Sequence, residues 1–230
     1  MKNITRWLRN ILIFFFTSTI LSVVILKYIP VYITPLMLIR CVEAVIDGKE
    51  PAINHHWVPL EHISHHLPQA VMASEDNLFL KHSGFDLEQI QKAQLEAQAG
   101  KRQRGASTIS QQTARNVFLW QQRSWLRKGL EAYFTFLIEN IWGKERIMEV
   151  YLNSIEMGRN IYGADAVARI NFNTTPDRLT KDQSAYIAVS LPNPRERDSA
   201  HPTARMRKMH NTIKKRMNQI DQFPRDVCAQ

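Results

Sequence analysis

Two cysteines in 230 residues, Cys41 and Cys228, are too few and too far apart for CxxC redox chemistry or a thiolate zinc site. They leave room for one long-range disulfide, which no other feature of the sequence supports. No GxxxxGK[ST] segment occurs, so a nucleoside triphosphate donor is not indicated. HExxH is missing as well, although His55, His56, His62, His65 and His66 crowd one short stretch and His62 and His66 stand one helical turn apart. Such a pair can in principle hold a metal. Without cysteine or HExxH beside it, the plainer reading is a set of exposed, partly titrating surface histidines. Beyond the first 30 residues there is no apolar-polar alternation backed by hairpin turns, no internal repeat and no long low-complexity linker. Acidic residues are the minority charge, 21 against 30 Lys and Arg, so anionic partners are favoured: nucleic acid, acidic headgroups or phosphorylated substrates.

What is present begins with an apolar run from Ile11 to Ile29, long enough to cross the hydrocarbon core as a helix. Lys27 lies close enough to its end to snorkel, and Tyr28 and Tyr32 suit the interface. Lys2, Arg6 and Arg9 precede it, so the positive-inside rule keeps residues 1–10 in the cytoplasm and sends everything after residue 30 outward. No small-x-small cleavage site follows, and a single-pass anchor over 11–29 is expected to be retained. Residues 30–54 read as a membrane-proximal linker.

The remainder reads as mostly α. Asp86 with Gln89 resembles a capping box opening a helix that closes at Gly100, and Ser107 can cap the next. Ser124 can cap a third, striped by Leu126, Leu130, Tyr133, Phe134, Leu137, Ile138 and Ile141 and stopping at Gly143. Lys144 opens a helix carrying Ile147, Met148, Tyr151 and Leu152. Thr180 with Gln183 caps a last core helix, ended by Pro192 and Pro194. A basic helix and tail follow over 201–230. Its plain role is a packed, solvated helix, its sharper one contact with anionic lipid headgroups. Nucleic acid is disfavoured because the tail should lie outside the cytoplasm.

Two carboxylate sites can carry chemistry. Glu75 and Asp76 follow the apolar Ala70, Val71 and Met72 and precede Phe79, so desolvation should raise the pKa of one of them toward that of a useful base or acid. The bland alternative is an exposed acidic pair at a helix end. Glu131 shares a helical face with Arg127 and Lys128. That is either a surface ion cluster of little energy or an acid beside two cations that hold a phosphate.

Four stretches taken together resemble one family over roughly residues 55–200: the peptidoglycan glycosyltransferases, glycosyltransferase family 51, and within it the monofunctional biosynthetic transglycosylases. EDxxFxxHxG appears as Glu75, Asp76, Phe79, His82 and Gly84. GxSTIxQQ appears as Gly105, Ser107, Thr108, Ile109, Gln111 and Gln112. RKxxE is Arg127, Lys128 and Glu131, and KxxIxxxYLN is Lys144, Ile147, Tyr151, Leu152 and Asn153, with Gly158 and Gly163 behind it. The resemblance implies a lysozyme-like, two-lobed α-helical domain in the inner membrane, facing the periplasm. Its substrates would be lipid II and a growing glycan chain, with cell-wall synthesis or division proteins as possible further partners.

In that family Glu75 would be the base that deprotonates the acceptor 4-hydroxyl, and Glu131 would assist departure of the undecaprenyl pyrophosphate. Arg115, Arg123, Arg127 and Lys128 would hold the pyrophosphate, with Ser107, Gln111 and Gln112 shaping the cleft. The resemblance implies no obligatory cofactor and allows a divalent cation, Mg or Mn, beside Glu131. Departures are Arg115, where Lys is commoner, and Asn171 and Asn173, which put local packing in question. No transpeptidase activity is expected within this length. The rival readings are a glycan-cleaving muramidase and a non-catalytic cell-wall scaffold.

Overall fold

A computed structural model describes residues 2–100, 107–224 and 226–229. Helix α1 runs from Lys2–Tyr28, longer toward the N-terminus than the apolar run alone. At 1.5 Å per residue it is about 40 Å long, enough to cross a membrane. It is the one helix among the described residues long and apolar enough to do so, and most of it is exposed.

The end of α1 is tied to the rest of the chain. Thr19 Oγ1 lies 2.9 Å from Tyr133 Oη. Trp142 Nε1 donates to Val23 O at 2.7 Å, and Arg146 donates to Leu26 O at 2.8 Å and to Ile29 O at 2.5 Å. The carbonyls that end a helix have no partner within it, so a guanidinium there satisfies them and opposes the negative end of the dipole. Arg146 also lies 5.0 Å over the Trp57 ring and pairs with Glu149.

The segment expected as a linker contains α2, Pro35–Ile46. Thr34 caps it by accepting from Met37 N, and Pro35 stands in the first turn, where its missing N–H costs nothing. Leu36 and Met37 pack on Tyr162, and Arg40 pairs with Glu156 at 3.1 Å. The chain then passes through β1 (Asn54–His55) into α3 (His66–Glu75), α4 (Leu87–Gln98), α5 (Ile109–Phe118), α6 (Trp125–Ile141) and α7 (Lys144–Ser154). Next come β2 (Glu156–Gly158), β3 (Ile161–Tyr162), α8 (Gly163–Phe172), α9 (Lys181–Ser190) and α10 (Ala204–Met217). The strands form one small sheet in the order β1-β3-β2, parallel then antiparallel, with Asn54 opposite Ile161 and Glu156 opposite Tyr162.

Local signals account for most helix ends. Thr108 with Gln111 and Thr180 with Gln183 form full capping boxes, while Ser124 and Thr203 cap α6 and α10. The cap of α5 is therefore Thr108, one residue beyond the expected Ser107. Asp86 accepts from Gln89 N at 2.9 Å, which is half of the expected box. On α6, Leu126 is exposed rather than part of the core stripe, because the buried face turns through Phe134, Leu137 and Ile138. Asn173 ends α8 in the left-handed conformation (φ 48°), which asparagine tolerates better than most residues, and Asn171 Nδ2 donates to Ser199 Oγ at 2.8 Å. Both departures at this point are thus accommodated. Gly163 (φ 81°) is required, since a Cβ there would stand 2.5 Å from Asn153 O.

Packing separates a body from an outlying helix. The main core gathers α5, α6, α7 and α8 around Ile109, Ile138, Ile147, Leu152 and Val167. A second cluster joins α3, α9 and α10 through Ala70, Ala73, Ala185 and Ala188, small residues that let the three helices approach closely, closed over by Met206, Ile213 and Met217. Helix α4 buries none of its residues and stands away from this body. The gap between them is the cleft described next. Cys41 and Cys228 are free thiols.

Candidate active site

A cavity of about 250 Å³ opens beside the C-terminus of α3. Ser74, Glu75, Asp76 and Asn77 form one wall, Asp86, Gln89, Lys92 and Glu96 of α4 the other, with Ser107, Thr108 and Arg216 closing it.

Glu75 is the last residue of α3 and only partly exposed. Gln112 Nε2 donates to its Oε2 and Ser74 Oγ to its Oε1, each at 3.1 Å. Gln112 is itself oriented: the buried Tyr151 hydroxyl donates to its Oε1 at 3.2 Å, which leaves the amide nitrogen facing Glu75. Burial pushes the Glu75 pKa above the ordinary carboxylate range, against the opposing pull of Gln112, Ser74 and the nearby Arg197. Burial also raises Tyr151 well above a normal phenol, and the charge of Glu75 adds to this, so Tyr151 stays a hydrogen-bond donor.

Asp76 is buried and its role differs from that of its neighbour. His82 Nε2 stands 2.9 Å from both of its oxygens, and Ile109 N donates to Oδ2 at 3.0 Å. Gly84 N donates to His82 Nδ1 at 3.1 Å, which leaves the ring proton on Nε2, pointing at Asp76. One carboxylate thereby joins the end of α3, the loop behind it and the start of α5. Gly84 sits at φ 92° where a Cβ would stand 2.8 Å from Thr135 Cγ2, and its carbonyl accepts from Thr108 Oγ1 at 2.7 Å. Phe79 is fully buried under Lys144, whose Nζ is 4.6 Å from the ring centroid and 2.7 Å from Glu139 Oε1. Asn153 accepts from Val58 N and donates to Val58 O, both at 2.8 Å, pinning the segment after β1.

Glu131 lies outside the lining of the Glu75 cavity. It is buried in α6 with Arg127 on Oε2 and Lys128 on Oε1. Arg115 belongs to the same group: burial lowers its pKa, and it feels the charges of Glu131, Arg127 and Arg123. Arg123 and Lys128 are exposed. The Nε atoms of Arg115 and Arg127 are buried and have no hydrogen-bond partner among the described residues. Buried donors of this kind are rare unless something else completes them, and an anion suits two guanidinium groups.

The predicted residues are thus brought together in part. Glu75, Ser107, Thr108 and Gln112 meet at the cleft, while Arg115, Arg127, Lys128 and Glu131 form a separate group on α5 and α6, outside the cavity lining. Gln111 does neither: its side-chain oxygen accepts from Thr108 N at 3.0 Å to close the capping box, so it shapes the helix start and not the cavity wall. A divalent cation at Glu131 does not fit, because both carboxylate oxygens already face cations. The described residues contain no group of three or more His, Cys, Asp or Glu side chains placed for a metal. Rings of His65 and His66 pack at 4.0 Å between centroids. Gly105 lies outside the described residues.

Sequence reasoning missed Arg197, Glu139, Lys92 and Arg216. No local pattern marks them. Lys92 and Arg216, far apart in the sequence, line one cavity, and Glu139 of α6 accepts from Ser110 of α5.

Fold and site together define an α-helical protein with a partly buried carboxylate, its pKa raised by burial, in a polar cleft, and a separate cluster of buried cations around Glu131. The chain belongs to the transglycosylase family, whose model matches residues 43–218. It is 57% identical to a biosynthetic peptidoglycan transglycosylase of Bacteroides thetaiotaomicron over 97% of this chain and 90% of the relative. Proteins of the same description from Bdellovibrio bacteriovorus and Caulobacter vibrioides are 45% and 49% identical, over 92% and 83% of this chain and 86% and 82% of theirs.

Proposed function

We propose that this enzyme polymerises lipid II into linear β-1,4 glycan strands from the periplasmic side of the inner membrane, with α1 as a single-pass anchor and its N-terminus in the cytoplasm. Glu75 takes the proton from the acceptor 4-hydroxyl. The freed oxygen attacks the donor anomeric carbon as the bond from that carbon to pyrophosphate breaks. The departing undecaprenyl pyrophosphate is met by Arg115 and Arg127, supported by Arg123 and Lys128, and Glu131 holds this cationic nest in register. No nucleotide is needed, because the pyrophosphate already makes the donor reactive.

The observation that carries this reading is the pair of buried, uncompleted guanidinium Nε atoms beside a cleft that holds a desolvated carboxylate. A displacement at an anomeric centre needs a base on one side and charge stabilisation for the leaving group on the other. A muramidase releases a neutral alcohol and has no use for the second feature. The anchor holds the cleft at the membrane where the lipid-linked substrate resides, which raises its effective concentration. Full-length enzyme in detergent or bilayers should convert lipid II to strands and release undecaprenyl pyrophosphate, with and without added divalent cations. Shortening of preformed strands without consumption of lipid II would overturn the assignment.

A further inference from the structure

The surroundings of Glu75 are acidic. Asp76, Asp86 and Glu96 line the same cavity, with Lys92 of α4 and Arg216 of α10 as its cations. Tyr151 of α7, which orients Gln112, stays neutral. The last turn of α9 adds to the negative side: the Ser74 hydroxyl lies 3.1 Å from both Glu75 Oε1 and Ala188 O. Carbonyls that end a helix carry its partial negative charge and disfavour an ionised carboxylate nearby. A carboxyl group in this setting tends to keep its proton, which is a handicap for one that must accept a proton.

Arg197 counters this from outside the cavity lining. Its Nη1 donates to Val189 O at 2.9 Å, the carbonyl that follows the one Ser74 meets. The half-buried guanidinium is thereby fixed one carbonyl away from the Ser74–Glu75 contact. Of the charges acting on Glu75 its own weighs most, ahead of that of Asp76, and it favours the ionised form. The chain that carries it is pinned on both sides. Arg195 pairs with Glu43 of α2 at 3.6 Å, Arg197 N donates to Asn193 O at 3.0 Å, and Ser199 Oγ accepts from Asn171 Nδ2 at 2.8 Å.

We propose that Arg197 is a positioning residue of the reaction, a fixed cation at the end of α9 that holds Glu75 in its proton-accepting form against the acidic cleft. This rests on the reading of Glu75 as the base. The hydrogen bond to Val189 O by itself is structural; the charge is what the reaction uses, and the two can be separated.

The test compares Arg197→Gln, which loses the charge and keeps a donor for Val189 O, with Arg197→Lys, which keeps the charge and loses the fork. Full-length enzyme in detergent is labelled with carbon-13 in its glutamate carboxyl groups, and the Glu75 signal is identified by its loss in Glu75→Gln. Removing a favourable cation raises the pKa of a carboxyl group, so in Arg197→Gln the Glu75 signal should titrate at higher pH than in the native enzyme. On its acidic limb kcat/KM for lipid II should fall about threefold, the size of one partly screened charge pair, and above the limb it should approach the native value. Arg197→Lys should leave both the signal and the limb near their native positions. A Glu75 signal that titrates in Arg197→Gln as it does in the native enzyme, or an equal loss of kcat/KM at every pH in both variants, would overturn the proposal and leave Arg197 a structural contact. If the signal moves while the limb stays, Arg197 acts on Glu75 as proposed and the assignment of Glu75 as base is what fails.

Discussion

Glu75 and Glu131 are both half of what the proposed reaction needs, yet their surroundings are opposite. Glu75 ends a helix at an open cavity and is held by neutral donors, the Gln112 amide and the Ser74 hydroxyl. Glu131 lies inside α6, almost wholly buried, with a cation on each oxygen. Neutral donors hold a carboxylate in place and still let it take a proton. Cations on both oxygens fix it as the centre of a charged cluster. The contrast is the one the proposed reaction calls for, with proton transfer at one site and charge arrangement at the other.

The sharpest way to break this contrast is Glu75→Gln. Removing a positioned base is expected to lower turnover about 10³-fold while the protein stays folded, measured as lipid II consumed per enzyme. Near-normal turnover would move the base elsewhere and leave Glu75 a structural acid. Arg127→Ala attacks the other side: it leaves a buried carboxylate short of one partner and should cost about 3 kcal/mol in a denaturant titration. If stability is unchanged, the Glu131 cluster is wetter and weaker than its burial implies.

Gln112→Ala comes next, with a loss in kcat/KM of about tenfold for one hydrogen bond to a charged group. Its signature is in the pH profile. A base works deprotonated, and burial already moves the Glu75 pKa upward, so the acidic limb of kcat/KM should lie above the ordinary carboxylate range. Gln112 favours the charged form; without it the limb should move further up. A limb that stays put would separate Gln112 from Glu75.

The smallest effect is on stability. A carboxyl group whose folded pKa is raised binds its proton more tightly in the folded state, so stability falls as pH rises from the unfolded toward the folded pKa. Glu75→Gln should therefore raise Tm slightly at neutral pH and leave it unchanged below the ordinary carboxylate range. An equal rise at every pH would point to packing, not to charge.

Much of this architecture was legible beforehand because its signals are local. A hydroxyl three residues before a glutamine closes a capping box within one turn, so Thr180 with Gln183 could be read directly, and Ser124 likewise. Ser107 failed by one position because two hydroxyl residues stand side by side and only the fold selects Thr108. Leu126 failed because apolar spacing alone did not show which edge of the α6 stripe faces water. The segment 30–54 looked like linker, yet Thr34 and Pro35 mark a helix start.

The sequence by itself determined the apolar α1, the helical class and the four motifs that name the family, since each is written in residues close together along the chain. Only the tertiary structure decided that Asp76 binds His82 and Ile109 N while its neighbour Glu75 faces a cavity, and that Gln111 caps a helix while Gln112 turns to the site. It also decided that α4 and α10, far apart in sequence, bring Lys92 and Arg216 to the same opening. These are matters of which face each side chain presents once distant helices have packed. Spacing along a single element cannot carry that information.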